Sequence, residues 1–309
     1  MKRHKICKII FAILAVFLCV AFYELIGICI TYKKQPAVSD ATIKETQNIM
    51  SVAGRENTER AVIIEKNSQA LLERVRLIQN AKDEIILSTF AFKSDESGKL
   101  ILGALHDAAD RGVHVRILVD GMESWIDMEG NPYFYGLSSH ENVEIKLYNK
   151  ANPLKPWKTM GRMHDKYLIA DGKIYILGGR NTYNYFLGDF PGHKNFDRDV
   201  LVVCDEPQKD NSVNQLWNYF ETIWEQEDCR YFHNSKKLAD RQSVKKAVLE
   251  LQEGYQQYFE VNKEKICDTD YADETFETEK ITLLSNPIHT QAKEPVVWYQ
   301  LGEYAAGST

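Results

Sequence analysis

The chain has 309 residues and a formal charge of −6, with 44 acidic against 38 basic residues. That length holds one sizeable α/β domain plus a connector, and the acidic balance argues against a general nucleic-acid binder, which ordinarily carries a basic excess. Six cysteines without a C-x-x-C pair or a histidine cluster give no zinc signature. Cys7, Cys19 and Cys29 lie in or beside the first apolar run, so Cys204, Cys229 and Cys267 permit at most one disulfide.

The first predicted element, after a basic segment at 1–8, is an apolar run over 9–32, interrupted by Glu24 and long enough to span a bilayer. Lys2, Arg3, Lys5 and Lys8 precede it and only Lys33 and Lys34 follow, so the positive-inside tendency puts the N-terminus in the cytoplasm and the rest outside. A cleaved signal peptide is the alternative. Residues 33–60 are polar, lack apolar periodicity and read as a tether.

A globular domain is expected over 61–230. Ser68 is placed to cap a helix through Leu71, Leu72, Val75, Leu77 and Ile78, and Glu84 to Phe90 reads as a strand. Gly98 to Arg111 reads as a helix stopped by Gly112, and Val113 to Asp120 as a second strand, which completes a β-α-β unit. Trp125, Tyr133, Phe134, Tyr135 and Trp157 fall in the following loops, suited either to dipping into lipid or to plain packing. Lys146, Lys150, Lys155, Lys158 and Arg162 form either a basic approach to an anionic head group or a solvated loop.

That basic run leads to Met163-His164-Asp165-Lys166, the apolar run Tyr167 to Ala170, and Asp171-Gly172. Residues i and i+2 of a strand share a face, so His164 and Lys166 can grip one phosphate together. An ammonium suits a phosphoryl oxygen, and imidazole serves as nucleophile or proton carrier, with no metal or cofactor required. Asp171-Gly172 reads as the turn of a hairpin returning over Lys173 to Leu177. Gly178 and Gly179 would let backbone approach a ligand closely, and Asn181 offers an amide donor to an anionic oxygen. Neither G-x-G-x-x-G nor G-x-x-x-x-G-K-[ST] occurs, so the glycine pair is no nucleotide loop.

The H-x-K-x-x-x-x-D spacing with Gly-Gly-x-Asn resembles the HKD motif of the phospholipase D superfamily. Arg162 to Lys166 and Phe196-Asp197-Arg198-Asp199-Val200 are similar to the bacterial cardiolipin synthase-like group, and the likeness covers 68–205. The resemblance implies an α/β fold with a mixed β-sheet flanked by helices, here preceded by one transmembrane helix. It implies that His164 is the nucleophile forming a phosphohistidine or the acid protonating the leaving alcohol, while Lys166, Asn181 and Gly179 bind the phosphate. Asp171, the third member of the catalytic motif, would be mainly structural, and Asp199, or failing that Asp197, would orient the imidazole.

Such sites need two histidines, and of the eight here only His164 has Lys two residues on. The implied partner is a second HKD motif, from a missing C-terminal half or from a homodimer; alternatively the chain has lost catalysis. Helices are expected over Asn211 to Glu225 and from Val244 to Phe259, the latter within a helical and acidic connector at 231–282. Leu283 onward, with Val296 to Ala306 as a helix, resembles the start of a second repeat cut short at 309. The expected protein is a cell-membrane, single-pass phosphatidyltransferase or phosphodiesterase acting on phospholipid. An HKD nuclease working as a homodimer and a non-catalytic binder of anionic lipid are the alternatives.

Overall fold

The central strands are buried along almost their whole length, which calls for cover on both faces of the sheet. In the computed structural model, which describes residues 2–32, 59–150, 152–158, 161–233 and 235–285 with positions 40, 43, 44 and 47, these strands lie in one mixed sheet. Helix and strand ranges in chain order are α1 (Lys2–Tyr32), β1 (Glu59–Ile64), α2 (Asn67–Asn80), β2 (Glu84–Thr89), α3 (Glu96–Asp110), β3 (His114–Asp120), α4 (Gly121–Asp127), α5 (Pro132–Ser138) and β4 (Val143–Tyr148). There follow β5 (Tyr167–Ala170), β6 (Ile174–Gly178), β7 (Asp199–Cys204), α6 (Ser212–Trp224), β8 (Cys229–Tyr231), α7 (Lys236–Ala239), α8 (Gln242–Cys267) and β9 (Phe276–Glu277).

The chain divides into two units. One contains α1 with residues 152–158, 161 and 162; the other contains 59–150 and 163–285. Within the first, Lys5–Gly27 is long and apolar enough to cross a membrane, and its side chains, Phe11 and Phe17 among them, are exposed.

In the second unit the nine strands run in the order β8-β4-β3-β2-β5-β6-β7-β1-β9. β2, β3 and β4 are parallel neighbours and the other pairings are antiparallel. Val115, Ile117 and Val119 of β3 join Ile85, Leu87, Leu168 and Leu201 in the main core, with Leu71 and Val75 of α2, Ile101 and Leu105 of α3, and Leu251 and Tyr255 of α8. The alternate residues face α6: Arg116 lies over the Phe220 ring, and the Tyr175 hydroxyl meets Ser212 Oγ at 2.8 Å. Helices therefore cover both faces of the sheet, as buried parallel strands demand.

The hairpin forms as expected: Asp171 and Gly172 take φ of 52° and 62°, the left-handed pair of a tight turn whose twist suits two antiparallel strands. Several boundaries differ from the sequence expectation. α2 begins at Asn67, so Ser68 lies inside the helix and caps nothing. Residues 121–138, expected as loops, hold α4 and α5, capped by Asp120 and Asn131. Phe134 and Tyr135 are buried there, and Tyr133 donates its hydroxyl to Glu250 at 2.7 Å, so these aromatics pack; Trp125 alone of the four is well exposed.

The expected connector belongs to the domain. β8 pairs with β4, β9 pairs with β1, and α8 packs on α2, α3 and α5. The acidic stretch docks on cations: Arg76, 3% exposed, binds Glu274 at 2.8 Å and the carbonyls of Asp268 and Asp270. Arg60 likewise holds Thr275 and the Ala272 carbonyl. β1 begins inside the expected tether, since buried Glu59 accepts from Ser212 Oγ at 2.7 Å. The helix expected over 296–306, most of 33–58 and the side chain of Trp157 lie outside the described residues.

Candidate active site

β5 is the central antiparallel strand between β2 and β6, with Tyr167 opposite Ser88 on one side and Leu177 on the other. The segment 163–166 leads directly into it and is tied at its start: the Met163 amide donates to Asp120 Oδ2 at 3.1 Å. Asp120, 1% exposed, also caps α4 through the amides of Met122 and Glu123. One carboxylate thus fixes the motif to the end of β3. Nothing in the sequence pattern marked it beyond its place at a strand end followed by glycine.

His164 is exposed and Lys166 is 4% exposed. The Lys166 ammonium donates to the carbonyl of His164 at 2.5 Å and lies 5.3 Å from the centroid of the Phe90 ring. Among the described residues it forms no ion pair within salt-bridge distance. Burial pushes its pKa down to about 8, against the opposing pull of Asp165 and Asp197. Asp165 in turn accepts the Tyr219 hydroxyl of α6 at 3.0 Å, and burial, then the Asp165 charge, keeps that phenol protonated. An ammonium has three donors. Here one is used by protein.

Asp171 sits at the other end of β5. Its carboxylate accepts from the amides of Lys82, Asp83 and Glu84 at 2.9, 2.9 and 3.0 Å, closing the link between α2 and β2. The strand itself separates it from His164.

Asn181 is 6% exposed; its Oδ1 accepts from the Ala91 amide at 3.1 Å, and its amide nitrogen bonds no described group. The glycine pair has a reason different from ligand approach. A Cβ on Gly178 would run into the Asp199 carboxylate, and one on Gly179 into the Asp197 carboxylate. The glycines make room for two acids on the neighbouring strand end.

Asp199 is fully buried between Arg74 Nη1 at 3.0 Å and Arg180 Nη1 at 3.2 Å. Asp199, expected to orient the His164 imidazole, is thus placed against two guanidinium groups. Arg180, 1% exposed, also donates to Asn67 Oδ1 and to the carbonyls of Ile64, Glu65 and Asp197, so it stitches the β1–α2 link to the loop before β7. Asp197, half-buried over Gly179 and within electrostatic reach of Lys166, is the acid nearer the motif. Lys146, expected in a basic approach, instead donates to the Trp224 carbonyl at 2.9 Å and lies over the Trp224 and Tyr231 rings.

Residues 75–224 match the family described as cardiolipin synthase, PLD-like domain. These residues form a domain of the phospholipase D superfamily, similar to its cardiolipin synthase-like group. The chain is 33% identical over 181 residues to an uncharacterized protein of Helicobacter pylori, covering 54% of this chain and 35% of that one. To cardiolipin synthase C of Escherichia coli it is 29% identical over 154 residues, covering 45% and 31%. A solved structure of phosphatidylserine synthase from Haemophilus influenzae aligns with a TM-score of 0.48 at 15% identity, over 72% of this chain and 48% of that one. The matched stretch spans about a third of the length of the curated relatives.

Proposed function

We propose that this protein is a membrane-anchored phospholipase D-type enzyme that transfers the phosphatidyl group of a phospholipid to an alcohol, or to water, in cardiolipin synthase-like chemistry. One observation carries it: a buried ammonium that has no ion pair among the described residues, beside an exposed imidazole. Leaving a charge unpaired under burial costs several kcal/mol by general experience, and a phosphodiester anion supplies the missing partner. The cardiolipin synthases among its relatives point to the substrate class.

In the proposed reaction one imidazole nitrogen attacks phosphorus while a second imidazolium gives its proton to the departing alcohol oxygen, breaking that P–O bond. The second imidazole then takes a proton from the incoming hydroxyl, whose oxygen attacks phosphorus and breaks the P–N bond. His164 fills one role, and a second HKD motif, from further sequence or from a second copy of this chain, fills the other. Lys166 and the Asn181 amide would stabilise the non-bridging oxygens. Lys5–Gly27 would anchor the enzyme beside its substrate, with the domain outside the cytoplasm.

The test is turnover by the full chain reconstituted in phosphatidylglycerol vesicles. His164→Ala is expected to reduce it by about 10³-fold. Unchanged turnover in that variant overturns the proposal. Cleavage of DNA with a steep salt dependence and no lipid turnover would replace it with a nuclease.

A further inference from the structure

Phe90 leaves β2 directly toward the motif and is half-buried. Its ring meets the His164 imidazole edge-to-face, with centroids 4.8 Å apart at 65°, and the Lys166 ammonium lies 5.3 Å from the same centroid. One side chain from a different strand therefore touches both motif residues.

We propose that Phe90 is a positioning residue of the phosphoryl-transfer site, walling the exposed imidazole into one orientation and holding the buried ammonium near its π face; this rests on the function proposed above. Transfer requires the imidazole nitrogen in line with phosphorus, and a ring packed edge-to-face against it narrows the rotamers it can take. A ring near a cation favours the charged form, the one that binds a phosphate oxygen. The charged groups acting on Lys166 are Asp165, which accepts from Tyr219, and Asp197 from the loop before β7; its bond to His164 is to the backbone carbonyl. No carboxylate contact takes the place of the ring.

The experiment compares wild type, Phe90→Leu and Phe90→Tyr as full chains in detergent. The lysines carry ¹³C-dimethyl labels, and the Lys166 signal is identified by its loss in Lys166→Arg. In Phe90→Leu the Lys166 titration and the alkaline limb of kcat/KM are both expected to fall by about half a unit, roughly threefold in the dissociation constant, while Phe90→Tyr keeps both in place. A uniform loss of rate across pH with an unmoved signal overturns the inference, because packing alone would do that. If wild type turns over no phospholipid yet the signal shifts in Phe90→Leu, the proposed function fails and the role of Phe90 toward Lys166 stands. Should Phe90→Leu not fold, Phe90→Met is read in the same way.

Discussion

Asp199 and Lys166 are two buried charges of one site with opposite surroundings. Asp199 is held by two buried arginines, while Lys166 has one carbonyl and one aromatic ring. The arginines hold α2 and the loop after the glycine pair against β7, so the aspartate is bound up in the fold. The lysine contributes nothing comparable. A buried charge whose partners are all protein groups marks architecture; one whose partners are missing marks a place reserved for a ligand.

The sharpest way to break this contrast is to empty the paired charge. Asp199→Asn leaves two guanidinium groups under-compensated, and urea unfolding is expected to show a loss of about 3–5 kcal/mol. A change under about 1 kcal/mol would place Asp199 on the functional side after all. Asp171→Ala removes the acceptor of three amides and is expected to cost about 1–3 kcal/mol while the pH profile of turnover in the surviving folded protein keeps its shape. A moved profile would bring Asp171 into the chemistry.

The hairpin of β5 and β6 and the β2-α3-β3 unit were legible in the sequence because their signals are local: short apolar runs, a Gly at the helix stop, Asp-Gly at the turn. β1, β8 and β9 were not, since each lies toward a sheet edge and is defined by distant pairing, Glu59 with Cys204 and Tyr231 with Lys146. Asn131-Pro132 is a helix-start signal that pointed to α5 and was readable. His164 and Lys166 stood out through spacing alone. The partners of Asp199 did not, because Arg74 is remote in sequence and Arg180 looked like the variable position of Gly-Gly-x-Asn. The hydrogen bond of Asp120 to the Met163 amide is likewise a tertiary fact.

A smaller effect sharpens the other half of the contrast. Lys166 has its pKa lowered from 10.5 to about 8, so between those values the unfolded chain binds the extra proton and the penalty for burying the charge is relieved as pH rises. The stability advantage of Lys166→Met over wild type is therefore fully present below pH 8 and shrinks toward pH 10.5. The alkaline limb of kcat/KM is expected near the same lower value, since the free enzyme needs the ammonium.

The most direct single test is phospholipid turnover by Lys166→Met, with its urea midpoint measured on the same preparation. If the ammonium is held for a phosphate, turnover falls by about 10²–10³-fold while the midpoint stays or rises. Retained turnover, with a midpoint that falls as far as in Asp199→Asn, would show that Lys166 supports the fold and leave the site without its anion-binding charge.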